Sequence, residues 1–100
     1  MKRILLICAA GMSTSMLMKK MTEYATQTGE DAIIEAHGVD VLKDIIENFD
    51  AVLVAPQIRF KLAEVQGIAE AAGKKAAAID PMAYGSMNGE KVFNQALSLI

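Results

Sequence analysis

Lys2-Arg3-Ile4-Leu5-Leu6-Ile7-Cys8-Ala9-Ala10-Gly11-Met12-Ser13-Thr14-Ser15 is the stretch on which the fold turns. Lys2–Cys8 is an uninterrupted β-rich apolar run, the pattern of a strand covered on both faces. Gly11 breaks the run, and Ser13, Thr14 and Ser15 then offer hydroxyls that cap helices. A buried strand that turns through small residues straight into a helix is how a parallel α/β sheet begins.

The same alternation continues outward. Leu17, Met21, Tyr24, Ala25 and Thr28 fall on one helical stripe, which Gly29 ends. Ala32–Ala36 is a second short apolar segment, closed by His37-Gly38. Asp40 opens a helix in which Leu42, Ile45, Ile46 and Phe49 recur at helical spacing. Ala51–Ala55 is a third buried strand, stopped by Pro56. Ile58, Leu62, Val65, Ala69 and Ala72 form the next stripe, ended by Gly73. Lys75–Ile79 is a fourth strand, stopped by Asp80-Pro81, and a loop with Tyr84-Gly85 follows. Val92, Phe93, Ala96, Leu97 and Ile100 mark a last helix. The expected fold is α/β: a four-stranded parallel open sheet with helices on both faces, flavodoxin-like. In such sheets ligands bind beyond the carboxyl ends of the strands, near a topological switch point. That rule selects the loops Cys8–Ser15, His37–Asp40, Ala55–Arg59 and Asp80–Asn88.

Composition narrows the function. One hundred residues support one domain, 1–100, which buries roughly two-thirds of its unfolded surface. An apolar share of 53% against 22% charged excludes a disordered chain. The net charge is -2 and the Lys and Arg residues are scattered, so no nucleic acid is expected as a partner. One Cys and one His provide no disulfide, no CxxC pair and no structural zinc site, and no metal is expected. With no Trp and 5% aromatics there is little to build a flavin sandwich from, and no cofactor is expected. No apolar run approaches the roughly 20 residues of a membrane span. Met1-Lys2-Arg3 before Ile4–Ala10 has the outline of a shortened secretion signal, but Gly11–Ser15 is not a cleavage site. Ile7 is too bulky for a lipoprotein site at Cys8. A cytoplasmic chain with a reduced thiol is the expectation.

Cys8 is the candidate nucleophile. It stands where a strand ends, before small residues, three hydroxyls and a helix start. Successive backbone N–H groups in such a turn form an anion nest, and the helix N-terminus adds partial positive charge. Both suit a thiolate and a tetrahedral dianion bonded to it. Ala9, Ala10 and Gly11 keep side chains clear of that ligand. The amide of Met12 continues the run, and Ser13, Thr14 and Ser15 supply hydroxyl donors. The plainer alternative makes Cys8 a small buried hydrophobe and the hydroxyls ordinary helix caps.

Other loops contribute rim candidates. Gln57 can hydrogen-bond there, and Tyr84 either overlies the cysteine loop or is a half-buried loop aromatic. Arg59 and Lys61 can attract a phosphoryl group or an acidic partner, although Lys61 fits a solvated helix charge better. Met12, Met82 and Met87 fall in rim loops, where methionine makes an adaptable contact surface; Met21 belongs to the core. Asp80 before Pro81 fits a turn-initiating residue better than a proton donor, since a thiolate leaves without protonation. His37 caps a strand–helix loop, and nothing in the sequence brings it to Cys8.

Two families share the cysteine loop. Cys8 to Ser15 resembles the phosphate loop of low-molecular-weight tyrosine phosphatases, whose pattern is Cys-x5-Arg-Ser. Ser15 matches that Ser, but Thr14 stands where the Arg would be, and that guanidinium binds the transferring group bidentately. The whole chain resembles the enzyme IIB proteins of the bacterial sugar phosphotransferase system, in the lactose/cellobiose/chitobiose class. The resemblance rests on Ile4–Ser15, on Val54-Ala55-Pro56-Gln57-Ile58-Arg59, and on Tyr84-Gly85 with Asn88-Gly89. It implies a phosphohistidine on a IIA protein as donor, Cys8 as the acceptor that becomes phosphocysteine, and a sugar bound by the membrane IIC permease as the final acceptor. A monomer that docks transiently on each partner is expected.

Three competing functions are weaker. A thiol phosphatase or arsenate-type reductase would need the Arg at position 14, or a second, resolving Cys. An FMN-binding module would not need a thiol. A response-regulator receiver needs a phosphorylatable Asp at the end of the third strand, where this chain has Ala55-Pro56.

Overall fold

The computed structural model describes residues 1–9 and 14–100. Four strands form one parallel sheet in the order β2-β1-β3-β4. They are β1 (Lys2–Ile7), β2 (Ala32–His37), β3 (Ala51–Val54) and β4 (Lys75–Ala78). Each lies within a residue of the span its apolar run predicts. The two central strands are the two most continuous apolar runs. Ile4–Ile7 and Ala51–Val54 are fully buried, as strands covered on both faces must be. Edge strand β2 carries Glu35 and His37 and edge strand β4 carries Lys75, while central β1 keeps its charges, Lys2 and Arg3, at its start.

Among the described residues five α-helices complete the fold: α1 (Ser15–Gln27), α2 (Leu42–Ile45), α3 (Leu62–Ala71), α4 (Pro81–Gly85) and α5 (Gly89–Leu97). The β1-to-β2 crossover runs toward one edge of the sheet, and the next two run the other way. Right-handed crossovers therefore place α1 on one face and α2 and α3 on the other. α5 joins α1, where the Tyr24 and Phe93 rings meet edge to face at 5.8 Å. Helices α1 and α3 stop at Gly29 and Gly73, whose φ angles of +76° and +75° suit glycine.

The structure corrects two expectations. The second helix is not one run from Asp40 to Phe49 but a four-residue α2 between 3-10 turns at Val39–Val41 and Ile46–Asn48. Its Val and Ile residues are β-branched and weaken a continuous helix. Phe49 has already turned extended, at φ −124° and ψ 155°, yet stays buried. The segment holding Tyr84-Gly85 is helix α4 rather than loop. Asp80 caps it, with Oδ1 accepting the Met82 N–H at 3.0 Å, and Pro81 starts it.

Two glycines separate packing from backbone cost. A Cβ added at Gly89 would come within 2.5 Å of the Lys20 carbonyl carbon, where α5 crosses α1. One added at Gly67, inside α3, meets nothing within 4 Å. Gly89→Ala is expected to destabilise the chain by about 1–3 kcal/mol. Gly67→Ala is expected to stabilise it by about 0.5–1 kcal/mol in urea titrations.

Candidate active site

Cys8 is the first residue past β1, and backbone bonds on both sides hold it there. Its N–H donates to the His37 carbonyl of β2 at 3.1 Å, while Ala55 N–H donates to the Ile7 carbonyl at 2.8 Å. This is the carboxyl end of the sheet, between β1 and β3, where the connections diverge. The thiol is buried, with the residue 1% exposed. Its Sγ lies 3.5 Å from Thr14 Oγ1, within hydrogen-bond reach.

Thr14 is the one buried polar side chain among the described residues. It occupies the N-cap position of α1, and its carbonyl accepts the Met18 N–H at 2.8 Å. Its hydroxyl makes no capping bond to the helix; the hydroxyl faces the sulfur instead. The plainer alternative of an ordinary cap does not describe the Thr14 side chain. The structure brings Cys8 and Thr14 together at the start of α1, and their chain neighbours Ala9 and Ser15 are exposed. The expected phosphate contacts of Ala10, Gly11, Met12 and Ser13 lie outside the described residues.

The rim candidates separate into two groups. Gln57 and Tyr84 meet directly: Gln57 Nε2 donates to the Tyr84 hydroxyl at 3.1 Å, tying the segment after β3 to α4. Tyr84 is a buried side chain of α4. Arg59 is exposed, whereas Lys61 pairs with Glu64 at 3.5 Å. Met82 is 81% exposed in the first turn of α4. Met87 does not join it, because its φ is +53° and it packs against the core beside Lys20 and Tyr24. His37 does come beside Cys8 through its backbone, while its ring engages Glu35 at 3.0 Å.

Sequence reasoning missed Phe60. It is 77% exposed in the 3-10 segment Pro56–Lys61 that follows β3. The available signal was a large aromatic set between two cations, Arg59 and Lys61, one residue outside the segment chosen by the strand-end rule.

The fold and the placed cysteine define a flavodoxin-like α/β domain with a thiol at its switch point. The chain belongs to a narrower group. Residues 3–95 match the family "PTS system, Lactose/Cellobiose specific IIB subunit", and the protein is a member of that family, a IIB component of the phosphotransferase system. It is 48% identical to the oligo-beta-mannoside-specific EIIB component of Bacillus subtilis over 100 residues, covering 100% of this chain and 97% of that one. It is 38% identical to the cellobiose-specific EIIB component of Lactococcus lactis, over 99% of this chain and 96% of that protein. The solution structure of the cellobiose-specific IIB component from Borrelia burgdorferi superposes with a TM-score of 0.82 at 41% identity. That match covers 98% of this chain and 90% of the other. Among the described residues no helix is long and apolar enough to cross a membrane.

Asp80 lies at the same edge as Cys8 but is committed elsewhere. The Met82 N–H is the main cause holding its carboxyl below the usual carboxylate range, and Lys91, 3.4 Å away, adds to it. A lowered folded-state pKa stabilises the fold above the unfolded value of about 3.9 and ceases to do so as pH falls through the folded value. Asp80→Asn should therefore be less stable than wild type at pH 7. The difference should close below about pH 4 in thermal melts taken across pH, and phosphate acceptance should be unchanged.

Proposed function

We propose that this IIB component carries phosphate on Cys8 between two partners, with residues 1–100 acting as one phosphocysteine domain. The observation that carries the reading is the placement of the only thiol. It stands at the carboxyl end of a central strand, against a buried hydroxyl at the start of α1. In the first step the Cys8 thiolate attacks the phosphorus of a phosphohistidine on a IIA protein. An S–P bond forms, the N–P bond breaks, and its electron pair stays on the imidazole. In the second step a sugar hydroxyl held by the membrane IIC permease attacks the same phosphorus. An O–P bond forms, the S–P pair returns to sulfur as thiolate, and the hydroxyl proton leaves to a base of the permease or to water. The chain meets IIC at the inner face of the membrane.

Positioning and electrostatics do most of the work in phosphoryl transfer. The backbone amides of Ala9 to Ser15, with the Ser13, Thr14 and Ser15 hydroxyls, hold the equatorial oxygens. Helix α1 begins there and directs its N-terminal partial charge at them. Thr14 in place of an Arg supports a carrier rather than a hydrolase, because it removes the clamp on which a thiol phosphatase relies. A β-linked disaccharide or oligosaccharide is the proposed cargo: two relatives are named for an oligo-beta-mannoside and for cellobiose, both β-linked, which supports it, while a third at 38% identity is named galactose-specific.

Incubation with a phosphorylated IIA protein should add the mass of one phosphoryl group to the wild-type chain and none to Cys8→Ser. The isolated phosphorylated chain should release phosphate slowly. Phosphate retained by Cys8→Ser, or rapid turnover of an aryl phosphate, would contradict the reading.

A further inference from the structure

Five large apolar side chains stand exposed among the described residues: Met1, Met16, Phe60, Met82 and Ile100. Met1 and Ile100 are the chain ends. The other three all follow the carboxyl end of a strand. Met16 is 53% exposed in the first turn of α1 after β1, Phe60 follows β3, and Met82 follows β4. Those strands are adjacent in the order β1-β3-β4. The three side chains therefore follow the ends of three neighbouring strands, on the edge that holds Cys8. Scattered exposed hydrophobes are ordinary on a protein surface, and it is the shared edge that singles these three out.

Charge on the same edge selects the occupant. Among the cations of the segments after β3 and β4, Lys61 pairs with Glu64 and Lys91 with Asp80. Arg59, next to Phe60, makes no ion pair among the described residues. A donor arrives with a dianionic phosphoryl group at its centre, which a free guanidinium attracts. The acceptor sugar brings a neutral hydroxyl, to which that guanidinium offers no such attraction.

We propose that Met16, Phe60 and Met82, with Arg59 beside them, form the docking surface for the phosphohistidine-bearing donor protein, and that Phe60 is its anchor. The inference rests on the phosphocarrier reading above. Three side chains make a small patch, which suits a complex that forms and separates in every cycle. A large aromatic at the centre of such a patch carries a disproportionate share of the binding energy.

The test measures initial rates of phosphate transfer from a phosphorylated IIA protein of the lactose/cellobiose class, over a range of its concentration. Phe60→Ala should raise the half-saturating donor concentration about tenfold and leave the maximal rate nearly unchanged. Met82→Ala should raise it less, and Ile100→Ala, which removes a 57% exposed side chain at the chain end, should not change it. Arg59→Gln should weaken the phosphorylated donor more than the spent one. Phe60 is exposed, so its variants should melt as wild type does; Phe60→Gln serves if the alanine variant does not. Wild-type half-saturation in the Phe60 variants would overturn the proposal. That includes the case in which only sugar-dependent discharge slows, which would assign the surface to the permease. Failure of the wild-type chain to accept phosphate would instead remove the carrier reading itself, and this inference with it.

Discussion

Parallel pairing of β1 with both β2 and β3 is the constraint on which the site depends. β1 registers with β2 from Lys2↔Ala32 to Ile7↔His37, and with β3 from Ile4↔Ala51 to Ile7↔Val54. The connection that leaves β1 goes to one side, and the one that leaves β3 goes to the other. A crevice opens between their ends. Cys8 is the next residue past β1, so its position follows from burying Ile4 to Ile7 and from the ladder bond that its own N–H donates to the His37 carbonyl. Ile4 to Ile7 are buried on both faces, so the register is held by the polar residues that bound the run: a slip of one residue would draw Arg3 toward the core.

The surroundings of the sulfur suit a group that is held briefly and passed on. Burial keeps solvent away from it, and Thr14 is the one buried polar side chain beside it among the described residues. A hydroxyl orients without contributing a full charge. A guanidinium in the same place would bind the phosphoryl oxygens bidentately and stabilise the group as it transferred to water. Around the rim, Gln57 and Tyr84 tie the segment after β3 to α4, which holds Phe60 and Met82 on neighbouring supports.

How much of this was legible in the sequence depended on how much burial each residue takes part in. Ile4–Ile7 and Ala51–Val54 announced the central strands because both of their faces are covered, and short uninterrupted apolar runs between turn residues are what such strands require. The break-up of α2 was hidden, because Leu42, Ile45, Ile46 and Phe49 keep helical spacing even though β-branched neighbours shorten the helix. Helix α4 carried a readable signal, an N-capping Asp80 before Pro81, but Gly85 within five residues masked it. Position 14 told the chemistry of a hydroxyl and not its direction: the same Thr14 serves a cap or a thiol, and only packing decides. Phe60 could not be told from a core aromatic by pattern alone, since exposure is a property of the fold. Met87 failed in the opposite sense, a loop methionine that turns inward.

The most direct test of the central claim follows backbone amide resonances of the chain, isotope-labelled, before and after phosphorylation by a IIA protein. Shifts confined to residues 8–15 and the neighbouring segment 55–60, with the phosphorus coupled to Cys8, are the predicted result. Phosphorus attached to His37, or shifts centred on β2 and its Glu35, would contradict the account.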